Sequence, residues 1–143
     1  MNQRSLSITA VAVLMLLAAP PSFAAGNANK EIATATAHAQ MAAVAPNTAT
    51  AVMHFHHVIN CLVGAKGKDF DAGAGDPCKG MGNGALNDLG HATAVHARLE
   101  RALVLSERAL HAVNIKTARH DAARIAQVLK AANSIKSKSR RFH

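Results

Sequence analysis

From Ala28 onward the apolar residues of this chain recur every three or four positions and nowhere alternate with period two. That spacing gathers them along one side of an α-helix and offers no run suited to a half-buried strand, so the expected class is all-α. Ile32, Ala35, Ala39 and Ala42 make a first stripe. Pro46 ends it, because proline lacks the N–H that a helix interior needs. Asn47 can cap a second helix carrying Val52, Phe55, Ile59 and Leu62, which Gly64 stops. Leu89, Ala92, His96, Leu99, Leu103, Ser106, Leu110 and Val113 then step by three and four in alternation. This is the pattern of a bundle seam. Asn114 marks a turn, and Ile115, Ala118, Ala122, Ile125, Leu129 and Ala132 repeat the stepping. Connections as short as those at Pro46 and Asn114 join antiparallel neighbours, so an up-down four-helix bundle of two hairpins is expected.

Between the hairpins, glycines at 64, 67, 73, 75, 80, 82, 84 and 90, with Pro77, exclude a regular element. The stretch 64–90 reads as a crossover loop. Loops of this length inside compact domains are uncommon and often functional.

The start of the chain reads as an address. Arg4 precedes an uncharged apolar run from Leu6 to Ala19, and Ser22-Phe23-Ala24 offers small residues at the positions a signal peptidase reads. The run is too short to span a bilayer stably. Residues 1–24 are therefore expected to be a signal peptide cleaved after Ala24, residues 25–135 the four-helix domain, and 136–143 a basic flexible tail. The expected location is periplasmic or secreted.

Export changes what the charge implies. The 143 residues carry 16 Lys and Arg against 8 Asp and Glu, a formal +8, a balance that in a cytosolic chain would point to nucleic acid. Nucleic acid is not expected as a partner here, since there is no Trp or Tyr for base stacking. Lys130, Lys136, Lys138, Arg140 and Arg141 crowd the end of the chain. They suit anionic lipid head groups or another envelope protein. An oxidising compartment also makes a disulfide between Cys61 and Cys78, the only two cysteines, the default reading. Their spacing lacks the CxxC pattern of a zinc or redox site.

Nine histidines are the remaining anomaly. Met53, His54, His56 and His57 crowd five positions of the second helix, and the pairs 53/57 and 54/57 share a helical face. Packing has no use for three imidazoles there. Neutral imidazole is the commonest protein ligand for zinc, copper and nickel, and a thioether adds preference for Cu(I). His38, midway along the first helix, comes within reach in an antiparallel hairpin. The candidate ligands are His38, Met53, His54, His56 and His57, with a second, weaker pair in His111 and His120 flanking the Asn114 turn. His96 lies on the apolar stripe and reads as a hydrogen-bonded core histidine.

Other chemistry is poorly supported. Asp69 to Gly80 starts like a calcium loop but has Ala74 where glycine is needed and Gly80 where glutamate is needed. No CxxCH, GxSxG or HExxH occurs, and no catalytic nucleophile can be nominated, so the chain is read as non-enzymatic.

The histidines recurring along Ala-rich helices, as in His91-Ala-Thr-Ala-Val-His96 and Glu107-Arg-Ala-Leu-His111-Ala, give residues 88–132 a resemblance to small periplasmic His-rich metal-binding proteins built on a four-helix bundle. The resemblance implies metal buffering, of copper or another divalent transition metal. The chain departs from that group in carrying fewer histidines, a basic charge and the Cys61–Cys78 loop. Two alternatives stand beside this reading: a b-type haem bundle with His and Met axial ligands, and a non-catalytic structural or chaperone-like envelope module.

Overall fold

A computed structural model describes residues 27–90 and 94–139, with side chains to Ser134. The proposed signal peptide and the last residues of the basic tail lie outside the described residues, as do His91 and His143. Five helices are present among the described residues and no strand: α1 (Ala28–Ala43), α2 (Thr48–Val63), α3 (Ala85–Leu89), α4 (Ala94–Ala109) and α5 (Ile115–Ser139). None is long and apolar enough to cross a membrane.

The four long helices close a ring of contacts, α1 on α2 and α5, and α4 on α5 and α2. The stripes of α1, α2 and α5 pack as their spacing requires. Ile32, Ala35, Ala39 and Ala42 are wholly buried, as are Phe55, Leu62, Ala118, Ala122, Ile125, Leu129 and Ala132. Alanine on these faces lets the backbones approach closely, so few large side chains are needed. Side chains cap the helix starts: Asn27 accepts from Lys30 N–H, Asn47 from Thr50 N–H and Asn114 from Thr117 N–H. Arg119 of α5 donates through Nε and Nη2 to the Ala45 carbonyl, tying α5 to the α1–α2 turn.

Two expectations need correction. The stripe read from Leu89 to Val113 is not one helix. Gly90, at φ 68°, ends α3, and α4 begins at Ala94 and ends at Ala109. The face of α4 that packs inward is Val95, Leu99, Ala102, Ser106 and Ala109, whereas Val113 is 88% exposed. The larger leucines at 103, 105 and 110 sit at the margin of the core, because small residues win where helices come closest.

The second correction concerns 64–90, which is built rather than loose. It contains a 3₁₀ turn at Ala72–Ala74 and α3. Cys61 and Cys78 are bonded. Gly64 and Gly84, at φ 72° and 98°, pack backbone on backbone, where a Cβ on Gly84 would lie 2.4 Å from the Gly64 nitrogen. Buried Glu31 reaches across from α1 and accepts from Gly84 N–H at 2.9 Å. Its other oxygen is buried with no hydrogen-bond partner among the described residues. Burial, with Asp88 and Asp76 nearby, pushes this carboxyl up to about 7 against the opposing hydrogen bond from Gly84.

Candidate metal centre

His38 projects from α1, and His54 and His57 project from α2 three residues apart, so the hairpin brings the three imidazoles together. His38 Nδ1 lies 3.2 Å from His54 Nδ1 and 3.3 Å from His57 Nδ1. One ligand nitrogen from each ring falls within 4.8 Å of the others. Metal–nitrogen bonds of about 2.0–2.1 Å in a tetrahedron put ligand nitrogens about 3.3–3.4 Å apart, so two of the three spacings already match a bound ion.

The outer nitrogen of His57 makes this more than a chance cluster. His57 Nε2 is 2.7 Å from the Ala74 carbonyl, which can only accept, so Nε2 carries the proton. In a neutral ring that leaves Nδ1 with its lone pair facing His38. The short His38 contacts then need the proton on His38 Nδ1, shared between two lone pairs. A cation arriving there takes the place of that proton, which moves to His38 Nε2 so that the ring stays neutral and its Nδ1 lone pair ligates.

Protonation of His38 and His54 is disfavoured. Burial, and then the neighbouring His57 and His54 rings, pull His38 down from 6.5 to about 4. Burial and then His57 lower His54 as well. Both rings are therefore neutral at pH 7, the form that binds metal. All three residues are half-buried, so a site here is open on one side.

The other candidate ligands fall elsewhere. His56 points to a different flank of α2, where its Nδ1 lies 3.2 Å from an Asp71 carboxylate oxygen. Met53 is 43% exposed. His111 is exposed, as is His120, whose Nδ1 is 3.6 Å from Asp121. Among the described residues no group of three His, Cys, Asp or Glu ligands includes either of them. His96 is half-buried beside Glu100, at 3.6 Å, rather than wholly within the core. Cys61 and Cys78 are consumed by their disulfide and are not thiolate ligands. Two surface depressions, one between α1 and α5 along Ala43, Val44 and Lys130 and one at Asn114, Thr117 and His120, do not touch the three histidines. A metal needs converging lone pairs, not a cavity.

Two residues of this region escape sequence reasoning altogether. Glu31 looks like an ordinary acid in a first helical turn, where acids favour the helix dipole. Asn60 is wholly buried. Its one signal is a lone amide inside the apolar run Val58-Ile59-Asn60-Cys61-Leu62-Val63.

Comparison of the chain with family models, with curated proteins and with solved structures finds no match.

Proposed function

We propose that the protein is a non-enzymatic metal-ion binding and buffering protein that holds one transition-metal ion between α1 and α2, with His38, His54 and His57 as ligands. The single observation that carries this reading is the convergence of three Nδ1 atoms, with His57 oriented by the Ala74 carbonyl. Outer-sphere hydrogen bonding of that kind typically accompanies histidine ligation. Imidazole donors suit copper, nickel or zinc, and among the divalent ions copper binds such a set most tightly. Three protein ligands leave a position for water or for an exchanging ligand, which fits buffering better than permanent storage. In this reading the four long helices form an up-down bundle in the periplasm, reached through residues 1–24.

Titration of metal-stripped protein with Cu(I), Cu(II), Ni(II) and Zn(II) tests it. One equivalent should bind at pH 7, and His38→Ala with His57→Ala should abolish it. Stoichiometric binding that survives the double substitution would sink the assignment.

A further inference from the structure

The Gly-rich segment between the two cysteines bears on the metal site through one atom, the Ala74 carbonyl oxygen. Three residues of a single stretch of α2 grip the short span around it. His56 Nδ1 faces Asp71 Oδ2 at 3.2 Å, and His57 Nε2 donates to Ala74 O at 2.7 Å. Asn60 does most. Its Nδ2 donates to Asp71 O at 2.8 Å and to Gly75 O at 2.7 Å, while its Oδ1 accepts from Asp71 N–H at 2.9 Å. The Asn60 amide is thereby used on both ends and brackets the turn carrying Ala74. Asp71 Oδ1 caps the same turn by accepting from Gly73 N–H. The disulfide joins the residue after Asn60 to Cys78, three residues beyond the span, tying the chain that leaves it back to α2.

We propose that Asn60 and the disulfide-closed span 71–75 are the positioning device of the metal site, holding the Ala74 carbonyl where it keeps the His57 proton on Nε2 and its Nδ1 lone pair toward His38. The proposal rests on the metal-binding reading above. A neutral imidazole free of this contact can carry its proton on either nitrogen, and the tautomer with Nδ1–H offers no lone pair to an ion at this position. A carbonyl fixed at 2.7 Å removes that choice before metal arrives. Gly75 serves this span through its backbone: it adopts φ 89°, which favours glycine, although a Cβ there would meet His57 Nε2 only at an ordinary 4.0 Å.

The test uses Zn(II) as the probe, with imidazole ¹⁵N shifts as a readout that simple destabilisation leaves alone. In metal-free wild-type protein His57 should be the Nε2–H tautomer. Asn60→Asp keeps the acceptor but sets an oxygen against two carbonyls, and Cys61→Ala with Cys78→Ala frees the chain that leaves the span. In either variant His57 should show mixed tautomers and Zn(II) affinity should fall about 10- to 100-fold, the range typical for lost outer-sphere partners. Asn87→Ala, which removes hydrogen bonds to Val63 O and Asn83 O outside the span, is the destabilised control and should keep wild-type affinity. An Nδ1–H tautomer in wild-type protein overturns the proposal even if both variants fail to fold. So does wild-type affinity in folded Asn60→Asp. If instead His57→Ala leaves Zn(II) affinity unchanged, the metal site itself is wrong, whatever the tautomer.

Discussion

The α1–α2 hairpin and the α4–α5 pair both carry histidines on alanine-rich helices, but among the described residues only the first assembles them. In the first, His38 faces His54 and His57 across the helix contact, and a folded segment outside the hairpin reaches in to orient one ring. In the second, His111 and His120 sit near the turn with their rings in solvent. The resemblance expected for residues 88–132 therefore falls on the half where, among the described residues, no three histidines meet. The first half combines histidines at facing levels of two helices with an outer contact that fixes one ring. Local density along one strand of sequence supplies neither.

The largest contrast is expected in stability. Gly84→Ala forces a Cβ into the Gly64 backbone at a φ of 98°, and should lower the unfolding free energy by about 3 kcal/mol or more. Gly90→Ala, at φ 68° with nothing within 4 Å of the new Cβ, should cost only about 1 kcal/mol. Urea denaturation checks both, and equal losses would break the idea that 64–84 is a packed element. Next, His38→Ala with His57→Ala should weaken Zn(II) binding by at least about 100-fold, near 2.7 kcal/mol. His111→Ala with His120→Ala should leave it within about twofold by the same competition assay. A substantial loss from the second pair would erase the distinction between the two halves.

Smaller effects sharpen it. Glu31 titrates at about 7 in the folded chain against 4.5 when free. Its stabilising contribution is full below pH 4.5 and disappears as pH rises through 7, because the unfolded chain releases this proton first. Thermal melts from pH 4.5 to 7.5 should show Glu31→Gln removing about 1–2 kcal/mol of that pH-dependent change in stability. Slopes unchanged by the substitution would mean that the carboxyl is ionised where it sits. Smallest, Asn47→Ala and Asn114→Ala should each cost about 1 kcal/mol as lost caps, one in each half, without altering metal affinity.

Much of this was legible in the residues, and what was not has a common cause. The faces of α1, α2 and α5 follow from local spacing, since periodicity alone decides which side of a helix is apolar. The bond between Cys61 and Cys78 follows from there being no other pair. His38, His54 and His57 could be named because two share a helical face and the third lies on the preceding helix of a hairpin. The register of α4 was hidden, because Ala102 and Ala109 give no more hydrophobic signal than exposed alanines, while Leu103, Leu110 and Val113 mark a more conspicuous line. The order of 64–90 was hidden for another reason. It rests on side chain to backbone hydrogen bonds, Glu31 to Gly84 from far along the chain and Asn60 to Asp71 and Gly75 from nearer, and none of these leaves a periodic signal in the sequence.

That the rings converge through Nδ1 has a consequence for time rather than for affinity. Nδ1 is the imidazole nitrogen nearer the main chain, so an ion held there lies close against the helix walls of α1 and α2. On the helix side it is walled in, since turning His57 breaks its bond to Ala74, so exchange would run through the open side. Ala35, Ala39 and Phe55, wholly buried around this level of the hairpin, leave the helices little room to part. The residence time of an ion would then be set at the open side, where an incoming ligand can take the free position before the imidazole bonds break. A competing chelator would enter at that open side, and raising its concentration would speed the release.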